Sequence, residues 1–246
     1  MTGTQILVVV LASFGGALVK AVTGLGYPLI AVPLIALAIG IEDAVVLVAL
    51  PNFAANAFLC WESRDARGET RDLGRLVGFG MIGTVVGTIA LVELPEEPLL
   101  VALAAMVIAF VVLFLRRPNL TFDQGRARQG APFVGIVIGL MQGALGVSGP
   151  VVATWIHGYR LRPRAYVHTV TFIFGVTGLV QIMVLVAQGQ FTLERLTGAA
   201  IAAAPVAIAT PLGLRLRSRL GGPTFERVVL GVLVISAISL LTESLT

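Results

Sequence analysis

The chain has 246 residues, of which 57% are hydrophobic and only 12% are charged, with a formal net charge of +4. Soluble domains carry roughly a quarter charged residues, so the composition excludes the soluble classes and indicates an integral membrane protein. The apolar runs are continuous rather than alternating, which excludes a membrane β-barrel and predicts an all-α polytopic fold.

Apolar runs between polar residues predict ten helical segments along the chain. Most of them are long enough to cross a hydrocarbon core of about 30 Å at a rise of about 1.5 Å per residue. Two short segments each follow a Gly-rich break, and we expect them to be the return arms of re-entrant hairpins or of broken helix pairs. In chain order the predicted segments are 5–22, 28–40, 44–61, 74–92, 97–115, 132–146, 150–158, 165–187, 196–214 and 227–243, of which 28–40 and 150–158 are the short ones.

The first segment carries the one lysine of the chain, Lys20, four residues before Gly24. No basic region precedes this segment, so we expect a retained membrane span rather than a signal peptide. Gly24 and Gly26 permit the backbone geometry of a break, and Pro28 lacks the N–H that a continuing helix would use. Lys20 is therefore predicted either to add a positive charge to an anion site at this break or to extend towards the membrane interface.

The third segment contains two amides, Asn52 and Asn56, which share one helix face because they are four residues apart. In a membrane helix such amides either bind a ligand or form hydrogen bonds to a neighbouring helix, and the first alternative places them on a ligand path. In the next segment, Gly83 and Gly87 have the spacing that is typical of close helix packing.

Arginine is distributed unevenly between the loops, and this distribution tests the topology. If each broken unit, 5–40 and 132–158, returns to the side on which it began, four loops share one side of the membrane and hold 15 of the 17 Lys and Arg residues. If each unit crossed the membrane instead, two of these loops would lie opposite the other two. The positive-inside rule therefore favours returning units, with both termini extracytoplasmic and the protein in the cytoplasmic (inner) membrane. Membrane topology and contacts with membrane lipids explain the excess of basic over acidic residues, so we expect no nucleic acid partner. The arginines concerned are Arg64, Arg67, Arg71 and Arg75; Arg116, Arg117, Arg126 and Arg128; Arg160, Arg162 and Arg164; and Arg215, Arg217, Arg219 and Arg227.

The second Gly-rich break repeats the pattern of the first. Residues 139–155 have the sequence GLMQGALGVSGPVVATW, and alignment of Pro150 with Pro28 places Gln142 opposite Lys20. Each copy consists of an apolar helix, a polar residue, a break, a proline and a short apolar arm, and three longer segments follow. The chain is therefore predicted to contain an internal repeat.

The two copies predict two halves of opposite orientation, 1–120 and 121–246, within one membrane domain, because the first copy begins outside and the second inside. Inverted repeats in transporters place paired broken helices near the membrane midplane, where unwound backbone and helix ends bind a ligand. A helix that starts at either proline would direct free N–H groups and the positive end of its dipole into the break, which suits an anion. The residues predicted to bind this anion are Lys20, Thr23, Gly24, Gly26, Tyr27, Asn52, Asn56, Gln142, Gly146, Ser148, Gly149, Thr171 and Gln181.

The two broken units, GALVKAVTGLGYPLIAVPLIAL and GLMQGALGVSGPVVAT, resemble the paired Gly-rich motifs of the TauE/SafE family, also called the sulfite exporter family. The stretch RAYVHTVTFIFGVTGLVQIMVLVAQGQFTLERL, residues 164–196, resembles the family's span after the second motif. The resemblance covers nearly the whole chain. It implies secondary transport of small anions, often sulfite, sulfonates or other sulfur- or carbon-containing acids, by an α-helical membrane protein.

Other functions remain open from the sequence alone. An anion channel would use the same two breaks as a continuous filter, and a membrane enzyme or a passive assembly subunit is a third class. The sequence has no HExxH, GxSxG or P-loop motif and no Cys/His cluster. We therefore expect no enzyme, no metal and no cofactor, while a homo-oligomer is compatible with the sequence.

For proton coupling, His157 and His168 are the candidates that titrate near neutral pH, because no Asp or Glu lies in the middle of a predicted segment. Both histidines lie close to the arginine-rich side, so the alternative is that they are interfacial residues without a role in transport. The protein would then be a uniporter, or the anion itself would carry the proton.

Overall fold

The structure, a computed structural model, describes residues 1–23, 26–70, 72–116, 124–220 and 223–244. This part of the chain forms ten α-helices and one 3₁₀ helix and contains no β-strand, which confirms the predicted all-α polytopic fold. Six of the helices, α1, α3, α4, α5, α8 and α9, are long and apolar enough to cross a membrane. The helices are α1 (Gly3–Thr23), α2 (Tyr27–Ile39), α3 (Ile41–Glu62), α4 (Leu73–Glu93), α5 (Glu96–Arg116), α6 (Gln124–Leu145), α7 (Gly149–His157), α8 (Pro163–Ala187), α9 (Leu193–Leu220) and α10 (Pro223–Glu243), and the 3₁₀ helix Arg64–Glu69 follows α3.

Each predicted segment falls on one helix, and the differences lie at polar helix ends. The helix α6 begins at Gln124, eight residues before the predicted segment 132–146, and α9 continues to Leu220, six residues beyond 196–214. The added residues include Gln, Arg, Ala and Leu, which are good helix formers. Apolar content marks the part of a helix that can lie in lipid, whereas the helix itself extends further.

Both broken units return to the end of the bundle on which they began. Near the start of α1, Gln5 donates a hydrogen bond from Nε2 to the carbonyl oxygen of Ala38 near the end of α2, at 3.1 Å. In the second unit, a Cβ atom on Gly130 of α6 would lie 2.7 Å from the indole ring of Trp155 near the end of α7. The short helices α2 and α7 therefore enter the bundle from opposite ends and direct their N-termini inward.

The two ends of the bundle carry different ion pairs. At one end, here called the acidic end, Nη2 of Arg195 lies 2.9 Å from Oε1 of Glu42 and 2.6 Å from Oδ1 of Asp43. At the other, the basic end, Nε of Arg162 donates to Oε2 of Glu69 at 2.8 Å. Each of these contacts joins an element that precedes α6 in the chain to one that follows it.

The helices α4 and α6 pack so closely that their backbones touch. A Cβ atom on Gly83 would lie 2.3 Å from the carbonyl oxygen of Ile136, and one on Gly139 would lie 2.0 Å from that of Gly80. No side chain fits at these distances, which confirms the close packing predicted at Gly83 and Gly87. The contact holds the second broken unit against α4.

Candidate functional site

Each broken unit is interrupted at a glycine with a positive φ angle, +138° at Gly26 and +67° at Gly146. L side chains rarely adopt this region. The helices α2 and α7 begin just after these glycines, and each has a proline in its first turn, where a missing N–H costs no hydrogen bond. Neither helix start has a side-chain cap, so the capping residues supply no side-chain acceptor to the N–H groups of either first turn.

Lys20 is buried beside the first break and is held by two amides. It is 2% exposed, and its Nζ donates to Oδ1 of Asn52 at 2.9 Å and to Oδ1 of Asn56 at 2.7 Å. Asn56 also donates from Nδ2 to Oδ1 of Asn52, at 3.2 Å. The ring centroid of Phe174 lies 5.8 Å from the ammonium nitrogen, within the range of a cation–π interaction.

The depth of Lys20 decides between the two positions predicted for it. Asn52 lies eleven residues after the start of α3, which is about 16 Å along the helix and about half of its length. The ammonium group bonded to Asn52 is therefore inside the bundle, and it does not extend to the membrane interface.

The second break carries a cluster of neutral polar groups. Ser148 donates from Oγ to Oε1 of Gln142 at 3.0 Å, and Gln142 donates from Nε2 to Oε1 of Gln181 at 3.1 Å. Gln181 donates in turn to the carbonyl oxygens of Gln142 and Gly143, at 2.9 and 3.2 Å. These carbonyls lie near the end of α6, and that of Gln142 also accepts the backbone N–H of Gly146 at 3.0 Å. Gln181 thus adds a side-chain donor at the carboxyl end of α6.

A narrow cavity lies between Lys20 and the neutral cluster, with room for about one water molecule. Seven of the predicted binding residues line it, contributed by both breaks and by α3. Asn56 and Gln181 do not line the cavity, but they form hydrogen bonds to Lys20 and Gln142, which do. The residues that line the cavity are Lys20, Gly26, Pro28, Leu29, Asn52, Gln142, Gly146, Val147, Ser148, Gly149 and Phe174.

Four lining residues were not predicted, namely Pro28, Leu29, Val147 and Phe174. All four are apolar, and in the sequence they look like ordinary residues of membrane helices. A signal for Phe174 exists, because it precedes Gln181 by seven residues and so shares its helix face.

Two predicted residues direct their hydroxyl groups elsewhere. The hydroxyl of Tyr27 is 3.5 Å from Oγ of Ser13. Thr171 donates to the carbonyl oxygen four residues earlier in its own helix, at 2.7 Å, as threonines in helices commonly do. Gly24 and the side chain of Thr23 lie outside the residues that the structure describes.

The two histidines lie at the basic end and do not line the cavity. His157 is exposed at the end of α7. His168 is buried where α8 meets α3, with Nδ1 3.5 Å from Oγ of Ser63 and 3.2 Å from the carbonyl oxygen of Cys60. Within the described ranges, no group of three or more His, Cys, Asp or Glu side chains is placed to hold a metal ion.

Ion pairs connect the 3₁₀ helix to the start of α8 at the basic end. Arg164 donates from Nε to both carboxylate oxygens of Asp65, at 2.8 and 2.9 Å, beside the pair formed by Arg162 and Glu69. The guanidinium groups stabilise the charged carboxylates, so the pKa of Asp65 and that of Glu69 lie below their usual values. Because these groups are in contact with solvent, the pairs contribute little to stability.

Comparisons with known proteins agree with this architecture. The family model described as Sulfite exporter TauE/SafE matches residues 8–240. A curated protein of Cupriavidus necator (strain H16), the "Probable sulfite/organosulfonate exporter TauE", is 33% identical over 122 residues. This match covers 49% of the chain and 48% of the relative, so the chain aligns with about half the length of that protein. No solved structure matches the chain.

Proposed function

Because the chain belongs to the sulfite exporter TauE/SafE family, a family of membrane transporters rather than enzymes, we propose that it is a secondary transporter of a small anion. The substrate class is sulfite, a sulfonate or a related acid, moved across the cytoplasmic (inner) membrane. The observation that carries the proposal is the buried Lys20 at a cavity between two broken helices. A lysine at the centre of a membrane helix costs about 2.5–3.5 kcal/mol on insertion scales, and a bound anion offsets this cost.

The donors around the cavity suit binding that must also be reversible. Lys20 supplies one full positive charge, and the first turns of α2 and α7 supply N–H groups at the positive ends of their dipoles. Gln142 adds an amide. Asn52 and Asn56 accept hydrogen bonds from the ammonium group, so they position Lys20. Several arginines in place of these neutral donors would hold an anion too tightly to release it.

Alternating access between two inverted halves, 1–120 and 121–246, completes the proposed mechanism. Its support is that α1–α5 of the first half correspond in order to α6–α10 of the second, and helix contacts of one half recur between the corresponding helices. The helix α4 packs along α6 as α9 packs along α1, and α3 packs against α9 as α8 packs against α4. The ion pairs at the acidic and basic ends each join the two halves, so opening one set at a time would expose the cavity to one side.

The arginine-rich basic end is cytoplasmic in this proposal, following the positive-inside rule. The termini would then be extracytoplasmic, and the N-terminal amine does lie at the acidic end, 3.2 Å from Oε1 of Glu194. Of the two candidates for proton coupling, His168 is better placed than His157, because it is buried against α3, the helix that carries Asn52.

An anion channel with a filter at the two breaks is the alternative function. A carrier is favoured because the cavity has room for about one water molecule and cross-half ion pairs lie at both ends of the bundle. A filter would instead need a continuous path for the ion.

Counterflow into proteoliposomes tests the proposal. Purified protein is reconstituted in vesicles that contain unlabelled methanesulfonate or sulfite, and uptake of the labelled anion is measured. Wild-type protein should accumulate label. Lys20→Gln should reduce uptake on the order of a hundredfold, because it removes the one charged side chain among the described residues that line the cavity. The control Arg64→Gln removes one positive charge at the basic end, where Arg64 stacks on Trp61 at 4.4 Å, and should retain uptake.

Currents far above carrier turnover in the same preparation would favour the channel. Folded wild-type protein that takes up none of the sulfur anions or small carboxylates would refute the transport proposal.

A further inference from the structure

The fixed charge at the cavity limits which anions it accepts. Among the described residues that line it, Lys20 is the one charged side chain, and the others are glycine, proline, amide, hydroxyl or apolar residues. The side chains that hold the ammonium group, Asn52 and Asn56, are neutral. The ion pairs at the two ends of the bundle involve residues that are not part of this lining.

The helix ends add little net charge to the cavity. Each broken unit brings one amino end, worth roughly half a positive charge, and one carboxyl end, worth roughly half a negative charge, to the same break. At the first break α1 ends and α2 begins, and at the second α6 ends and α7 begins. These contributions largely cancel within each unit, so the net fixed charge is close to that of Lys20 alone.

From this balance we infer that the protein transports monoanions and rejects dianions, an inference that rests on the proposed transport function. A monoanion neutralises Lys20. A dianion would leave one negative charge without a partner in a buried site that Leu29, Val147 and Phe174 help to line, and an unpaired buried charge is strongly disfavoured. The accepted class is hydrogen sulfite, alkylsulfonates and carboxylates, whereas sulfate and the sulfite dianion are excluded.

Sulfite transport is then coupled to a proton through the substrate itself. Hydrogen sulfite and the sulfite dianion interconvert near neutral pH, and only hydrogen sulfite carries the accepted charge. The protein needs no titrating group at the cavity for this coupling. Among the described residues, the side chains that line the cavity beside Lys20 and the amides that hold it do not titrate. Tyr27, Cys60 and His168, titratable side chains on the surrounding helices, do not line the cavity. The hydroxyl of Tyr27 is 3.5 Å from Oγ of Ser13, and Sγ of Cys60 is 3.8 Å from Nδ1 of His168.

Two matched anions test the inference on wild-type protein. Sulfate and methanesulfonate are both tetrahedral at sulfur, and they differ in charge. In proteoliposomes, with protein-free vesicles subtracted, methanesulfonate uptake should exceed sulfate uptake on the order of a hundredfold. Sulfite uptake should rise as the pH is lowered through neutrality. Methanesulfonate is a monoanion throughout, so its uptake reports any titration of the protein, and the ratio of sulfite uptake to methanesulfonate uptake should rise as the pH is lowered.

A variant tests the same inference by gain of function. Gln142→Lys adds a second positive charge at the position in the second unit that aligns with Lys20, and it should raise sulfate uptake relative to methanesulfonate uptake. If this variant fails to fold, the comparison of sulfate uptake with methanesulfonate uptake by wild-type protein still tests the inference. Sulfate uptake at the methanesulfonate rate, or an unchanged ratio in a folded variant, would overturn the charge selectivity and leave the transport proposal intact. Absence of uptake for every anion would overturn the transport proposal itself.

Discussion

The two broken units share a backbone design but differ in the chemistry that they bring to the cavity. The first unit carries Lys20, held by amide oxygens of α3. The second carries Gln142 and Ser148, which bond to each other, and Gln142 also bonds to Gln181 of α8. Aligned through their prolines, Lys20 and Gln142 occupy the same position. In the proposed transporter, the backbone of the break would determine where the anion is bound, while one side chain would determine the charge of that anion.

The two units also differ in how closely α6 packs against α4 and α1 packs against α9. Small residues recur at every fourth position on the packed face of both units, which is the spacing that lets membrane helices approach. In α6 these residues are glycines, and the backbone of α4 touches them. In α1 the aligned residues are larger and buried, and a Cβ atom on Gly213 of α9 would lie 2.6 Å from the Cβ of the last of them, Ala21. The aligned residues are Gly135, Gly139 and Gly143 in α6 and Ser13, Ala17 and Ala21 in α1.

The substitution Asn52→Asp should remove the electrostatic difference between the units, with the largest expected effect. The new carboxylate would lie near Nζ of Lys20, where Oδ1 of Asn52 now lies at 2.9 Å. It would neutralise the ammonium group and repel an anion, so counterflow should fall on the order of a hundredfold. The control Gln129→Glu makes the same chemical change at an exposed position of α6 and should retain transport. Full transport by a folded Asn52→Asp protein would mean that the charge of Lys20 is not used.

The substitution Gly139→Ala tests the difference in helix packing between the two units. Its Cβ would lie 2.0 Å from the carbonyl oxygen of Gly80, so α4 and α6 must move apart, at a cost of about 2 kcal/mol in the free energy of unfolding. The control Gly175→Ala on α8 meets no atom within 4 Å and should leave stability unchanged or slightly raised. Thermal unfolding in detergent measures both, and equal midpoints would contradict the backbone contact between α4 and α6.

The substitution Gln181→Met should have the smallest effect, because it removes a positioning residue and leaves the charge in place. The carbonyl oxygen of Gly143 would lose its side-chain donor, and that of Gln142 would keep only the N–H of Gly146, at a cost of about 1 kcal/mol in stability. Nε2 of Gln142 would lose its acceptor, Oε1 of Gln181, and the apparent affinity for the anion should weaken about fivefold. The control Thr177→Val removes a hydroxyl that bonds only within α8 and should leave the apparent affinity unchanged. Equal affinities of the two variants would show that Gln181 does not position the site.

The helices and their breaks could be predicted because their signals are local. Apolar runs locate the spans, and a glycine followed by a proline locates each break within a residue or two. The sequence left two positions open for Lys20, burial at the break or extension to the membrane interface, because a span of this length permits both. Its position follows from Asn52 and Asn56, which lie more than 30 residues away in the chain.

The polar contacts between helices could not be predicted, because they depend on how the helices rotate against one another. Gln181 was predicted to bind the ligand, whereas its donor atoms point to the backbone of α6. Thr171 satisfies its hydroxyl within its own helix, which sequence spacing cannot distinguish from a hydroxyl that faces a cavity. Phe174 lines the cavity although nothing in its residue type indicates a binding role.

The unequal lengths of the two return arms have an electrical consequence. The arm α2 has thirteen residues and α7 has nine, which correspond to about 20 and about 14 Å. The cavity at their inner ends therefore lies at about two-fifths of the combined depth, measured from the basic end. In the proposed transporter, an anion that enters from this end would cross the smaller part of the transmembrane field before it binds, and the larger part when it leaves. With about 2.3 kcal/mol per unit charge for each 100 mV, the membrane voltage acts more strongly on the departure of the anion than on its arrival.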